Sequence, residues 1–212
     1  MSLVFTFITS LLLGMRHATD PDHVVAVTTI VTRERSVTKA AGIGAVWGLG
    51  HTITLLVVGG AIIVFKFAVN ARLGLSLELC VAIMLIVLGL LNLFSVRAST
   101  SALNTTRPFL VGIVHGLAGS AGAALLIVPL IDDPRWAAVY LLTFGLGTIV
   151  GMALITLTIA FPSLLAAAHL PNFQRQLRIA AGAVSLVFGL YLAHKIGFTD
   201  GLFTSDARWA PQ

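Results

Sequence analysis

The segment "GMRHATDPDHVVAV" (residues 14–27) places one arginine, two histidines, two aspartates and a proline within eight consecutive positions, 16 to 23. Apolar runs flank it, "LVFTFITSLLL" (3–13) before and "VVAVTTIV" (24–31) after. A bilayer-spanning helix needs about 20 mostly apolar residues. The whole stretch meets that length, with its ionisable groups at mid-depth. Each Arg or Asp at that depth costs about 2.5–3.5 kcal/mol, so Arg16, Asp20 and Asp22 together cost on the order of 8–10 kcal/mol. The apolar flanks return roughly 0.3–0.6 kcal/mol per residue. Insertion is then only just favourable, and such a cluster persists only where it faces protein or a water-filled cavity.

The rest of the chain puts this segment in a membrane. Its 212 residues are 58% hydrophobic and 10% charged, against about 25% charged in a soluble domain. Mean hydropathy is +1.00. The net charge of +5 sits in short segments between apolar runs, a pattern of polytopic membrane proteins that gives no basis for nucleic-acid binding. The single cysteine, Cys80, cannot form an internal disulfide. No Lys or Arg precedes Arg16, which argues against a cleaved signal peptide. Six spans are expected, at about 3–31, 39–65, 77–96, 109–131, 136–160 and 178–198. An even number places both termini on one side. Loops one, three and five carry seven Lys and Arg residues and the other side carries five. The positive-inside rule then puts the termini outside the cytoplasm, in a multi-pass protein of the plasma membrane, the inner membrane of a bacterium.

An internal repeat is also legible. "LLGMRHATDPDHVVAVTTIV" (12–31) aligns with "LVGIVHGLAGSAGAALLIVP" (110–129), matching Gly14 to Gly112 and His17 to His115. "WGLGHTI" (47–53) aligns with "FGLGTIV" (144–150), and "VLGLLNL" (87–93) with "VFGLYLA" (187–193). Three matches in the same order at nearly constant offset predict two three-span units, about 3–96 and 109–198, followed by a tail, 199–212. Three is odd, so the units must run in opposite directions through the membrane, the inverted repeat of many secondary transporters. The expected fold is therefore all-α, one transmembrane domain (1–212) of six helices.

Within the opening cluster, Arg16 and Asp20 stand at i,i+4 and are expected to form an ion pair. That leaves His17, Asp22 and His23. On a straight helix, His17, Asp20 and His23 fall within about 120° of one face, while Asp22 lies roughly 140° from His17. Pro21 interrupts the set. It lacks an N–H, so the His17 carbonyl loses its helical partner and a kink or unwound turn follows. That break swings Asp22 toward the histidines and offers a free carbonyl, which is tolerated where backbone lines a cavity. Imidazoles with carboxylates and no thiolate suit Ni, Co, Zn or Cu(II). His51, in mid-span two, is a further candidate ligand. His115 reads equally as a packed histidine or a functional one. His169 and His194 read as ordinary.

These residues carry a family resemblance. "RHATDPDH" (16–23) resembles the RHA-x-DADH signature, with its His-x4-Asp-His core, of the nickel/cobalt transporter family. "GLGHTITLL" (48–56) is similar to that family's LGH-Ser/Thr signature, which adds Thr52 beside His51, and "HGLAGSAG" (115–122) resembles its short, urease-accessory-type members. The resemblance covers the whole chain and implies high-affinity uptake of Ni(II) or Co(II) as cargo, with no cofactor. His17, Asp22 and His23 would be central, His51 contributing, and Arg16, Asp20, Thr52 and His115 around them. Full-length members carry an extra span before the motif helix. Pro21 replaces the usual alanine, and the family's acidic LGFDTATE-like signature has no counterpart, "FGLGTIVG" (144–151) being nearest. A metal-dependent membrane enzyme fits poorly: HExxH is absent, and no Ser or Cys nucleophile stands beside a base. Export by a related efflux type remains the alternative, although the His-rich loops of such proteins are absent. No nucleotide-binding motif is present, so the expected partners are the bilayer and the ion. A second copy of the chain or accessory metal-handling proteins would complete them.

Overall fold

The structure, a computed structural model, describes residues 3–32, 34, 36–65, 70–94, 103–117, 128, 131 and 133–209. Among them are seven α-helices and no strand. They are α1 (Leu3–His17), α2 (Pro21–Val31), α3 (Val37–Phe65), α4 (Ala71–Leu93), α5 (Leu103–Leu117), α6 (Pro134–His169) and α7 (Phe173–His194), the last running into a π-turn, Lys195–Thr199. Four stretches, α3, α4, α6 and α7 with its π-turn, are long and apolar enough to cross a bilayer. Large apolar side chains such as Val57, Val64, Leu142 and Val187 stand more than half exposed on them. The chain is thus an all-α, multi-pass membrane protein.

The first expected span is not one helix. α1 has 15 residues and α2 has 11, about 22 and 16 Å at 1.5 Å per residue. Neither alone crosses a hydrocarbon core of about 30 Å. The break has a local cause. A residue before proline is driven out of the α region, and Asp20 takes φ −61°, ψ 144° as N-cap, with Pro21 opening α2. The His17 carbonyl is not left free as expected. It accepts from Asp20 N–H at 3.1 Å, and Thr19 N–H reaches the Arg16 carbonyl at 2.8 Å, so a tight turn closes the end of α1.

Other boundaries shift for similarly local reasons. Asn70 caps α4 by accepting from Leu73 N–H at 2.8 Å, so the helix begins before the expected residue 77. Asp133 caps α6 through Arg135 N–H at 2.9 Å. α6 then continues through Pro162 to His169, past the expected span end near 160. The expected fourth span, 109–131, is helical from Leu103 to Leu117, and residues 118–127 lie outside those described. The tail expected from 199 packs back onto the bundle. The Trp209 ring covers Gly74, and its Nε1–H donates to Glu78 at 2.8 Å.

Helix pairs meet where glycine lets backbones approach, the small-residue packing of membrane helices. α1 lies along α6: Cβ atoms on Gly14 and Gly147 would collide with the carbonyls of Phe144 and Leu11. Ser10 and Thr143 share a hydrogen bond on the same seam. α5 lies along α3 in the same way, Gly112 against the Trp47 carbonyl and Gly50 against that of Phe109. α3 and α6 pack antiparallel, Gly44 facing Met152 and Gly48 facing Ile149. So do α4 and α7, Gly89 facing Gly182 and Leu186 while Gly189 faces Ala82 and Ile86. The buried core joins α2, α3, α4 and α6 through Val27, Trp47, Leu85 and Met152.

These seams predict a position-specific response. Gly147→Ala drives a methyl into the Leu11 carbonyl, and should cost about 1–3 kcal/mol by overpacking. Gly42 has nothing within 4 Å of its Cβ position. Gly42→Ala should be neutral, or stabilise by up to about 1 kcal/mol through helix propensity. Melting temperatures of the detergent-solubilised protein check both.

Candidate metal site

The α1–α2 break, α3 and α5 bring four imidazoles together in the interior. His23, His51 and His115 are 0% exposed and His17 is 8% exposed. His17 ends α1 and His23 sits in the first turn of α2, so the break delivers both to one place. Their rings meet edge to face with centroids 4.7 Å apart. His51, from the middle of α3, puts its Nε2 3.3 Å from Nε2 of His17. One ring nitrogen from each of His17, His23 and His51 lies within 4.8 Å of the other two. His115, from α5, stacks on His23 with centroids 4.1 Å apart and 26° between planes.

Two carboxylates orient these rings. Asp20 Oδ2 is 2.7 Å from His17 Nδ1. Asp22 Oδ1 is 3.1 Å from His23 Nδ1, and its Oδ2 is 2.8 Å from His115 Nε2. The His23 backbone N–H also donates to Asp22 Oδ1, at 3.0 Å. A ring that donates Nδ1–H to a carboxylate presents Nε2 as a lone pair, which is how a carboxylate fixes the tautomer of a metal-binding histidine. His23 Nε2 is buried without a hydrogen-bond partner among the described residues, as are Nδ1 of His51 and Nδ1 of His115. Buried polar atoms are ordinarily paired, so an orphaned imidazole nitrogen aimed into a cluster of others suits a cation. Aromatic walls exclude water: Trp47 stacks on His23 at 5.8 Å, and Phe144 lies 5.6 Å from His17.

Every histidine singled out as a ligand from the sequence is in this cluster, together with Asp22. The roles of the surrounding residues come out differently. The expected Arg16–Asp20 ion pair is absent among the described residues. Asp20 turns to His17, because the extended backbone at the N-cap breaks the helical spacing that the pairing assumed, and Arg16 is exposed. Thr52 donates to the Gly145 carbonyl on α6 at 3.0 Å, tying two helices together rather than touching an imidazole. Pro21 breaks the helix as expected, but by opening α2 rather than by freeing a carbonyl. His115, undecided on the sequence, is firmly in the cluster; its alignment with His17 was the signal. Trp47 and Phe144 were not anticipated as walls, because an aromatic in an apolar helix looks like any other core residue. His169 is exposed and, among the described residues, bonds the Leu165 carbonyl four residues back.

With no Arg16–Asp20 contact, Arg16→Gln and Asp20→Asn should act independently. A double-mutant cycle in thermal stability should give coupling within about 0.3–0.5 kcal/mol of zero. A larger coupling would restore the ion pair.

The chain is 35% identical over 209 residues to a protein of Bacillus sp. (strain TB-90) named urease accessory protein UreH, covering 90% of this chain and 91% of the relative. No family model matches, and no solved structure matches.

Proposed function

Because the chain belongs to the UreH family of urease accessory proteins, we propose that it is a membrane permease, not an enzyme, for a divalent transition-metal cation, Ni(II) or Co(II). The observation that carries this is the convergence of His17, His23 and His51 within 4.8 Å in an apolar interior. Three neutral imidazoles can replace part of the hydration shell of a borderline cation, a donor type suited to Ni and Co and foreign to Mg or Ca. Asp20 and Asp22 hold His17 and His23 in the ligating tautomer and supply negative charge close to the cation. The nickel/cobalt resemblance of "RHATDPDH" and the urease link of the relative favour uptake across the inner membrane of a bacterium over export.

His17→Ala, His23→Ala and His51→Ala should each abolish accumulation of radioactive nickel or cobalt in cells while the protein still reaches the membrane. His169→Ala should leave accumulation unchanged. Asp20→Asn should weaken binding of the purified protein by roughly 10–100-fold, as expected for loss of a ligand's orienting partner. Normal accumulation in His17→Ala or His51→Ala overturns the site, and a fall in cellular metal on expression would mark export.

The scaffold is an inverted repeat of two three-span units in one transmembrane domain. Two sets of observations support it. Contacts exchange with the offset of the sequence repeat: Gly14 on Phe144 corresponds to Gly112 on Trp47, Gly147 on Leu11 to Gly50 on Phe109, and Gly89 on Gly182 to Gly189 on Ala82. The walls exchange too, His17 beside Phe144 and His115 beside Trp47, both at 5.6 Å. α1 parallels α6, α5 parallels α3, and α3 opposes α6, so α1 and its repeat mate α5 point in opposite directions. Midplane sites at the interface of such repeats are a general feature of secondary transporters. With six spans, Ser36→Cys and Thr204→Cys, each in a Cys80→Ser background, should react with an impermeant maleimide from opposite sides of the membrane, Thr204→Cys from outside. Labelling of both from one side overturns this topology.

A further inference from the structure

We propose that the cluster offers two alternative positions for one ion, and that the ion passes between them by exchange at His23. This rests on the permease reading above. The potential ligands fall into two groups, His17, His23 and His51 in one, and Asp22, His23 and His115 in the other, each with its donor atoms within 4.8 Å. Only His23 belongs to both.

A neutral imidazole has one lone pair. When His23 Nδ1–H donates to Asp22, Nε2 is free and the ring serves the three-imidazole position. When the proton sits on Nε2, Nδ1 faces Asp22 and His115 as a lone pair and the ring serves the carboxylate position. The change moves one proton within one ring and leaves its charge unaltered. His115 can follow, since its Nδ1 is buried and unpartnered among the described residues and can take the proton that Nε2 now directs at Asp22. His23 therefore cannot serve both positions at once. Two dications a few ångströms apart in an apolar interior would also repel strongly.

The positions differ in charge. The three-imidazole set is neutral, with Asp20 2.7 Å from its His17 ring. The other set contains a carboxylate and the fully buried His115. His17 and His115 are also equivalent in the proposed repeat. Of the donors in the two sets, His115 alone comes from the second unit, so an exchange at His23 brings the ion into contact with that unit.

The test uses the full-length protein in nanodiscs with Ni(II) or Co(II) alone as the probe. Equilibrium binding is measured beside accumulation of radioactive nickel in cells. The wild type should bind one ion. His115→Ala should still bind one, within about threefold of wild-type affinity, well short of the 10–100-fold cost of removing a ligand's orienting partner. Its transport should nevertheless fall by roughly tenfold or more, the signature of a lost step after binding. His51→Ala should lose transport and most of its affinity, keeping only the weaker binding that Asp22, His23 and His115 offer. If His115→Ala is not monodisperse, His115→Gln keeps a donor for Asp22 and is read in the same way. Loss of binding in the His115 variant equal to that in His51→Ala would mean one four-histidine site and overturn the proposal. Unimpaired transport, or two ions bound together in the wild type, would overturn it as well. A wild-type protein that binds neither metal would instead overturn the permease reading itself.

Discussion

Everything at the centre of this protein depends on one backbone constraint, the exclusion of Asp20 from the helical region by Pro21. A continuous helix through residues 3–31 would have spread His17, Asp20 and His23 over about 120° of one face and put Asp22 on another. The break turns the end of one helix and the start of the next into a single platform. His17 is the last residue of α1 and His23 lies in the first turn of α2, so two rings six positions apart meet edge to face. The same break frees Asp20 from helical geometry and lets it reach His17.

The cost of charge in an apolar interior then explains the pairing pattern. Asp22 is only 16% exposed at its side chain and accepts from two imidazoles and a backbone N–H. Both carboxylate oxygens accept from donors within the protein, which is how a carboxylate survives at this depth. The imidazoles are treated differently. Their outward nitrogens stay unpaired, in a protein that elsewhere pairs Ser and Thr hydroxyls with carbonyls at almost every turn. Thr28, Thr29, Thr148 and Thr156 each bond the carbonyl four residues back. Among the described residues His23 Nε2, His51 Nδ1 and His115 Nδ1 are buried without a partner, lone pairs that suit a cation.

Close glycine contacts give this centre its rigidity. With lipid tails as apolar as leucine, helices in a membrane associate through packing and hydrogen bonds. The seams that seat α1 on α6 and α5 on α3 are backbone against backbone. They fix the height of His17 against His51, and of His115 against His23, with no long side chain to flex. In the proposed inverted repeat these two seams are copies of each other, and the asymmetry of the site comes from the acids and from His23 and His51, which fall on Ala121 and Thr148 in the second unit.

The sequence by itself determined the membrane class, the position of the break, and which histidines and which aspartate to expect together. Those follow from hydropathy, from the cost of charge at mid-span and from the covalent structure of proline, all of which are local. It did not determine who pairs with whom. The Arg16–Asp20 pairing assumed helical spacing that the proline itself removes. His115 is 92 residues from His23 in the chain, and only the packing of α5 against α3 brings its ring onto that imidazole. Helix ends were likewise misplaced where a cap such as Asn70 outweighed local preference. Contacts between segments distant in the chain depend on how whole helix faces fit together, so the tertiary structure alone decided which atoms of the cluster are bonded and which are left open.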